Sequence, residues 1–173
     1  MKDQRTTVAE TPCAPLGELL RQLILVLEQL NDEEYVETRA RGISGSIGGH
    51  VRHCLDHVNA LVAGATGGEI NYDLRRRDTL IERRRDAAVF ESRRLCDTLS
   101  HIAVMSPDSK LKLWGALETD GPPIASTSTL GREVAFVVSH TIHHFAVIAL
   151  LLWDMGRDVP PRFGYAPSTP TAA

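Results

Sequence analysis

Between Val134 and Trp153 the chain runs twenty residues without an aspartate, glutamate, lysine or arginine. A run of that kind must leave water, either into lipid or into a protein core. Twenty residues is the length that crosses a bilayer. Ser139, His140, Thr141, His143 and His144 lie inside it, however, and polar groups at membrane depth are costly and rare. The expectation is therefore a buried helix of a water-surrounded domain, apolar nearly all round.

Three further helices are expected upstream. From Pro15, a favourable first helical residue, Leu16, Leu19, Leu20, Leu23, Leu27 and Leu30 recur mostly at three and four, ending near the acidic NDEE. TRARGISGSIGGH is rich in Gly and Ser and reads as a connection. Ile47, Val51, Leu55, Val58 and Val62 then mark a second helix, capped by Ser46 or Ser44 and stopping at Gly64, with ATGGEINYD as the loop after it. Thr79 and Glu82 form a capping box for a third, along which Ile81, Ala88, Leu95 and Ile102 hold an apolar line that ends before Pro107. Residues 111–127 alternate and contain Gly-Pro-Pro, which favours a short hairpin or extended crossover over helix. The last helix starts near Thr129, runs to about Met155 and stops at Gly156, with Pro160 and Pro161 beyond. The fold class expected is all-α: a four-helix bundle with a crossover connection and a possible short hairpin before the last helix. Residues 1–14 read as a flexible leader, 15–168 as one domain and 169–173 as a tail.

A chain of 173 residues fits a single domain and buries enough surface to fold without a disulfide or structural metal, so a bound metal is expected to serve chemistry. The net charge of −3 argues against nucleic acid and anionic membranes as partners. Cys13, Cys54 and Cys96 are odd in number and lack a C-x-x-C pair, as a reducing compartment allows, and LLRQLILVLEQL is broken by Arg21 and Glu28 where a secretory signal would not be. A cytoplasmic location is expected.

Six of the seven histidines fall in two clusters, His50, His53 and His57, then His140, His143 and His144. His140 and His144 are four apart, so their imidazoles leave one helix face a turn apart and can reach one cation. Spacings of three and four put His50, His53 and His57 on one face as well. Lone buried imidazoles are costly, so two clusters on apolar helices point to a shared metal ion. The expected ligands are His53, His140 and His144, with His50 and His57 as alternates to His53. His143, off the axis of the 140/144 pair, and His57 are expected to handle protons or support the ligands. Three neutral nitrogens leave a coordination position open, the catalytic pattern, and suit zinc first, with nickel and ferrous iron also compatible.

Three other features carry less. Asp56 reads equally as a carboxylate orienting a histidine or as an exposed helix residue. Cys54 reads as a small core hydrophobe before a ligand or nucleophile. The run from Asp73 to Arg94 holds eight arginines against five acids, the mixed pattern of a solvated, ion-paired helix face.

On SIGGHVRHCLDH, where His53 occupies the first ligand position, and SHTIHHFAVI, where His140 and His144 occupy the second and third, the chain resembles the DinB-like, or YfiT-like, metal-binding superfamily. GEINYDLRRRD and FGYAPST also look like stretches of one branch, and the likeness covers about residues 15–168. It implies a divalent ion on three histidines at one end of a bundle. Characterised relatives include thiol S-transferases that use bacillithiol or mycothiol, a mycothiol-dependent maleylpyruvate isomerase and the iron-binding domain of ergothioneine-type sulfoxide synthases. The expected function is thus metal-dependent activation of a thiol or water for transfer to, or hydrolysis of, a small electrophile, with a low-molecular-weight thiol as possible cosubstrate. The alternative is a non-catalytic metal-binding bundle acting through assembly. The expected partners are a small-molecule substrate and a second copy of the chain.

Overall fold

The computed structural model describes residues 12–38, 44–74, 79–119 and 121–170. Among them are six helices and three strands, and the sheet overturns the all-α four-helix-bundle expectation. In chain order these are α1 (Ala14–Glu28), α2 (Asp32–Val36), α3 (Ile47–Gly67), β1 (Glu69–Asn71), α4 (Thr79–Arg83), α5 (Arg85–Ile102), β2 (Lys110–Gly115), β3 (Ile124–Thr129) and α6 (Leu130–Asp154).

The leucine line of the N-terminal segment becomes the buried face of α1: Leu16, Leu20, Leu23 and Leu27 have no exposed surface. Each such side chain contributes about 1.5–3 kcal/mol by leaving water. The acidic segment after it is a separate short helix, α2, opened by a capping box in which Asn31 and Glu34 each satisfy the other's backbone N–H. Helix α3 begins with Ser46 Oγ accepting from Gly49 N at 3.1 Å. It passes the expected stop at Gly64 and ends at Gly67, with Gly68 left-handed at φ 80°. The third expected helix is two, because Arg84 takes an extended conformation (φ −125°, ψ 109°) between α4 and α5. The side chain of Thr79, half of the expected capping box, and residues 1–11 of the expected leader lie outside the described residues, as do 171–173 of the tail. Cys13 is buried and Ala14 opens α1.

The long helices pack in a ring, α1 on α5, α5 on α3, α3 on α6 and α6 on α1. Beside them lies a mixed sheet in the order β1-β2-β3. β1 pairs parallel with β2 (Ile70 opposite Leu113) and β2 antiparallel with β3 (Leu111 opposite Ser128). β1 replaces the loop expected after α3. A glutamate, an isoleucine and an asparagine carry little strand signal of their own, and their partner lies more than forty residues downstream. The parallel pairing is reached through α4 and α5 as a crossover.

Helix α6 is long and apolar enough to cross a membrane, a test that core helices also pass. It is not buried all round as expected. Leu130, Val134, Val137, Thr141, Phe145, Ile148 and Leu152 form one buried stripe, while Leu150 and Trp153 are exposed. Phe163, from the segment after α6, stacks on Phe145 with centroids 4.4 Å apart.

Candidate metal centre

The charge-poor composition of α6 and the apolar line of α3 bury these helices against each other, and the histidines ride on the shared face. His50 meets His144, His53 meets His140, and His57 meets Phe136. The partner number falls on α6 as it rises on α3, so the helices run antiparallel across the site. Five imidazoles form one connected cluster: His53 lies 4.8 Å from His140 and 4.5 Å from His144 between centroids, and His57 lies 4.1 Å from His140.

Three of the nitrogens lie close enough together that one ion could be held. One ligand nitrogen from each of His53, His57 and His140 lies within 4.8 Å of the others, and His53 Nε2 and His140 Nε2 approach to 2.9 Å. His57 Nδ1 is 2.9 Å from the backbone oxygen of His53. A carbonyl only accepts, so Nδ1 carries the proton and Nε2 keeps its lone pair, the orientation device common to metal-binding histidines. The surroundings favour the neutral form of His144 and His50. Burial first, then the neighbouring imidazoles of His140, His50, His143 and His57, hold His144 down at about 3. Burial likewise lowers His50, against the opposing effect of the Ser44 carbonyl. This three-histidine group can hold a metal ion, and its donors are the neutral nitrogens that borderline divalent ions accept.

One wall of the site is aromatic and backed by a buried carboxylate. Tyr72, just past β1, stacks on His57 at 5.3 Å, and Phe136 stacks on His140 at 5.8 Å. Glu133 is fully buried and accepts from Tyr72 Oη at 2.9 Å, Ser128 Oγ at 2.5 Å and Arg132 Nη1 at 2.8 Å. Three charge-assisted or hydroxyl donors satisfy a carboxylate that would be costly alone. Burial, then Glu133, push the Tyr72 hydroxyl far above its usual range, so it stays a phenol. The guanidinium of Arg132 lies 5.4 Å from the Phe136 centroid at the outer edge. The sheet makes this wall possible: β1 delivers Tyr72, and the end of β3 delivers Ser128 to the first turn of α6.

No protein-family model matches the chain. Over 101 residues it is 34% identical to FK506-binding protein 5 of Rhizopus delemar, which takes in 58% of this chain and 26% of that protein. The chain thus spans about a quarter of the length of the curated relative it matches.

The expected ligands His53, His140 and His144 all fall in the cluster, and so do His50 and His57. His144 sits beside the three grouped nitrogens, its Nδ1 3.0 Å from His50 Nδ1. His143 is exposed at the rim, its ring 5.1 Å from that of His144. Asp56 is buried and pairs with Arg52 Nη1 at 2.9 Å. Cys54 lies in the core with its thiol pushed up by burial. Of the arginine-rich run, residues 75–77 are outside the described residues. Arg84, Arg85, Arg93 and Arg94 pair with Asp86, Asp32, Glu28 and Glu91. Sequence reasoning missed Tyr72, Glu133 and Phe136. Glu133 and Phe136 precede His140 by seven and four residues, two turns and one turn back on the same face, and that spacing was the available signal.

Proposed function

We propose that this chain is a metal-dependent enzyme akin to the DinB-like proteins, acting on a small electrophile with a thiol or water as the incoming group. The observation that carries the reading is the convergence of His53, His57 and His140 from two helices, with His57 held by the His53 carbonyl in the tautomer whose Nε2 carries no proton. A divalent ion, zinc first and nickel or iron as alternatives, would supply Lewis acidity and lower the pKa of a thiol or water at the site. The protein's own groups do the rest. His53, His57 and His140 grip the ion. Tyr72 and Phe136 shield one flank from water, and the satisfied Glu133 fixes Tyr72 in place. His143, at the exposed rim, is placed to exchange protons with solvent. A low-molecular-weight thiol as cosubstrate, a homodimer and a cytoplasmic setting belong to the same proposal and rest on the sequence. FK506 binding is not carried over, since the match takes in only a quarter of the protein so named.

The test is a screen of metal-loaded protein against a model electrophile, with common low-molecular-weight thiols or water as acceptor. Turnover that disappears in His140→Ala supports the reading. Stoichiometric metal without turnover on any thiol or water substrate favours a metal-binding protein that acts through assembly.

A further inference from the structure

The second histidine pair carries its own information. His50 Nε2 lies 3.1 Å from the backbone oxygen of Ser44, and His50 Nδ1 lies 3.0 Å from His144 Nδ1. The carbonyl can only accept, so His50 Nε2 bears a proton. A neutral His50 then has a bare Nδ1, which can only accept, and the proton between the rings belongs to His144 Nδ1. The consequence falls on the far side of His144: its Nε2 has no proton. His144 also lies edge-on to His53 and His140, with centroids 4.5 and 4.7 Å away, so its ring borders the grouped nitrogens.

We propose that His50 is a positioning residue: anchored by the Ser44 carbonyl, it locks His144 in the Nδ1–H tautomer and leaves Nε2 as a further bare nitrogen for the ion. What that nitrogen serves rests on the metal reading above; the lock itself rests on the two hydrogen bonds. His53, His57 and His140 supply the three grouped nitrogens, and His144 Nε2, outside that group, stands as an alternate donor, so a coordination position stays open for substrate. The anchor depends on backbone shape. Gly45 follows Ser44 with φ at 96°, a conformation that L side chains rarely adopt, and a Cβ there would stand 3.6 Å from His50 Nε2.

The experiment uses the full chain labelled with ¹⁵N-histidine, free of metal, with His144 assigned by its loss in His144→Asn. Long-range ¹H–¹⁵N spectra report which ring nitrogen is protonated. The wild type should show His144 protonated on Nδ1, and His50→Ala should move the proton to Nε2, the commoner site in free histidine. His50→Asn, whose amide oxygen can accept from Nδ1–H, should restore the wild-type tautomer. Gly45→Ala, which alters no histidine, should weaken the lock by displacing the Ser44 carbonyl. In competition titrations with zinc, His50→Ala should bind about 10–100-fold more weakly and His50→Asn should recover part of the loss. A wild-type His144 protonated on Nε2, or a tautomer unchanged in His50→Ala, overturns the lock. An intact lock with unchanged zinc affinity in His50→Ala overturns its role at the ion. Wild-type protein that binds no zinc yet shows the lock overturns the metal reading and, with it, only the purpose of Nε2.

Discussion

Gly48→Ala should destabilise the protein, although alanine is the better helix former. Gly48 lies in the first turn of α3, and a Cβ built there meets the Glu82 backbone oxygen at 2.1 Å and the Tyr35 ring at 2.9 Å. Neither is the free end of a flexible side chain. The α4 backbone must retreat by about an ångström before ordinary contact is restored, and overpacking of this kind costs about 1–3 kcal/mol. The same shift strains the buried bond from the Tyr35 hydroxyl to the Ile81 oxygen, 2.7 Å long, whose loss costs a further ~1–3 kcal/mol. Replacing a helical glycine with alanine returns about 1 kcal/mol. The net expectation is a loss of about 1–5 kcal/mol, read as a lower denaturation midpoint at unchanged slope in urea. Gly67→Ala is the control. Nothing lies within 4 Å of its Cβ, so the propensity gain stands alone and stability should rise by up to about 1 kcal/mol. If both substitutions stabilise, the close approach of α3 to α4 is wrong, and with it the placement of the three histidines that α3 carries.

Three further outcomes follow from single groups. The Thr141 hydroxyl is buried without a partner among the described residues, so Thr141→Val should raise stability by about 1 kcal/mol in the same denaturation assay. His144, held at about 3, stays neutral in the native state but takes a proton near 6.5 when unfolded. The unfolded chain therefore binds more protons between those values, and metal-free protein should lose stability as pH falls through them. His144→Asn should flatten that dependence, and an unchanged slope would count against the buried neutral imidazole. Cys13 and Cys54 are buried with thiols pushed up by desolvation, so native protein should resist thiol reagents at both and react with them once unfolded.

The long helices were legible because burial writes itself into spacing: Leu16, Leu20, Leu23 and Leu27 had to share a face, and so did His50, His53 and His57. The sheet was not. β1 is three residues whose strand conformation comes from pairing with β2, and only the alternation at 111–127 hinted at extended structure. The break at Arg84 has no glycine or proline to announce it. The Asn31–Glu34 capping box was present in NDEE but read as an ending, because that segment offers too few apolar positions to show a period. In the site, residue type and spacing located the imidazoles, whereas the choice among five of them depends on hydrogen bonds to backbone oxygens that no side-chain pattern encodes. Tyr72 and Glu133 reach the site from the sheet and from α6, and their pairing exists only once the sheet does.

The proposed metal centre requires that the histidines of α3 and α6 hold one divalent ion. The direct measurement is the metal content of protein purified without chelators, by inductively coupled plasma mass spectrometry, beside the double variant His53→Ala, His140→Ala. Stoichiometric zinc, nickel or iron in the wild type and near-background metal in the variant is the predicted result. Equal and negligible metal in both would contradict it.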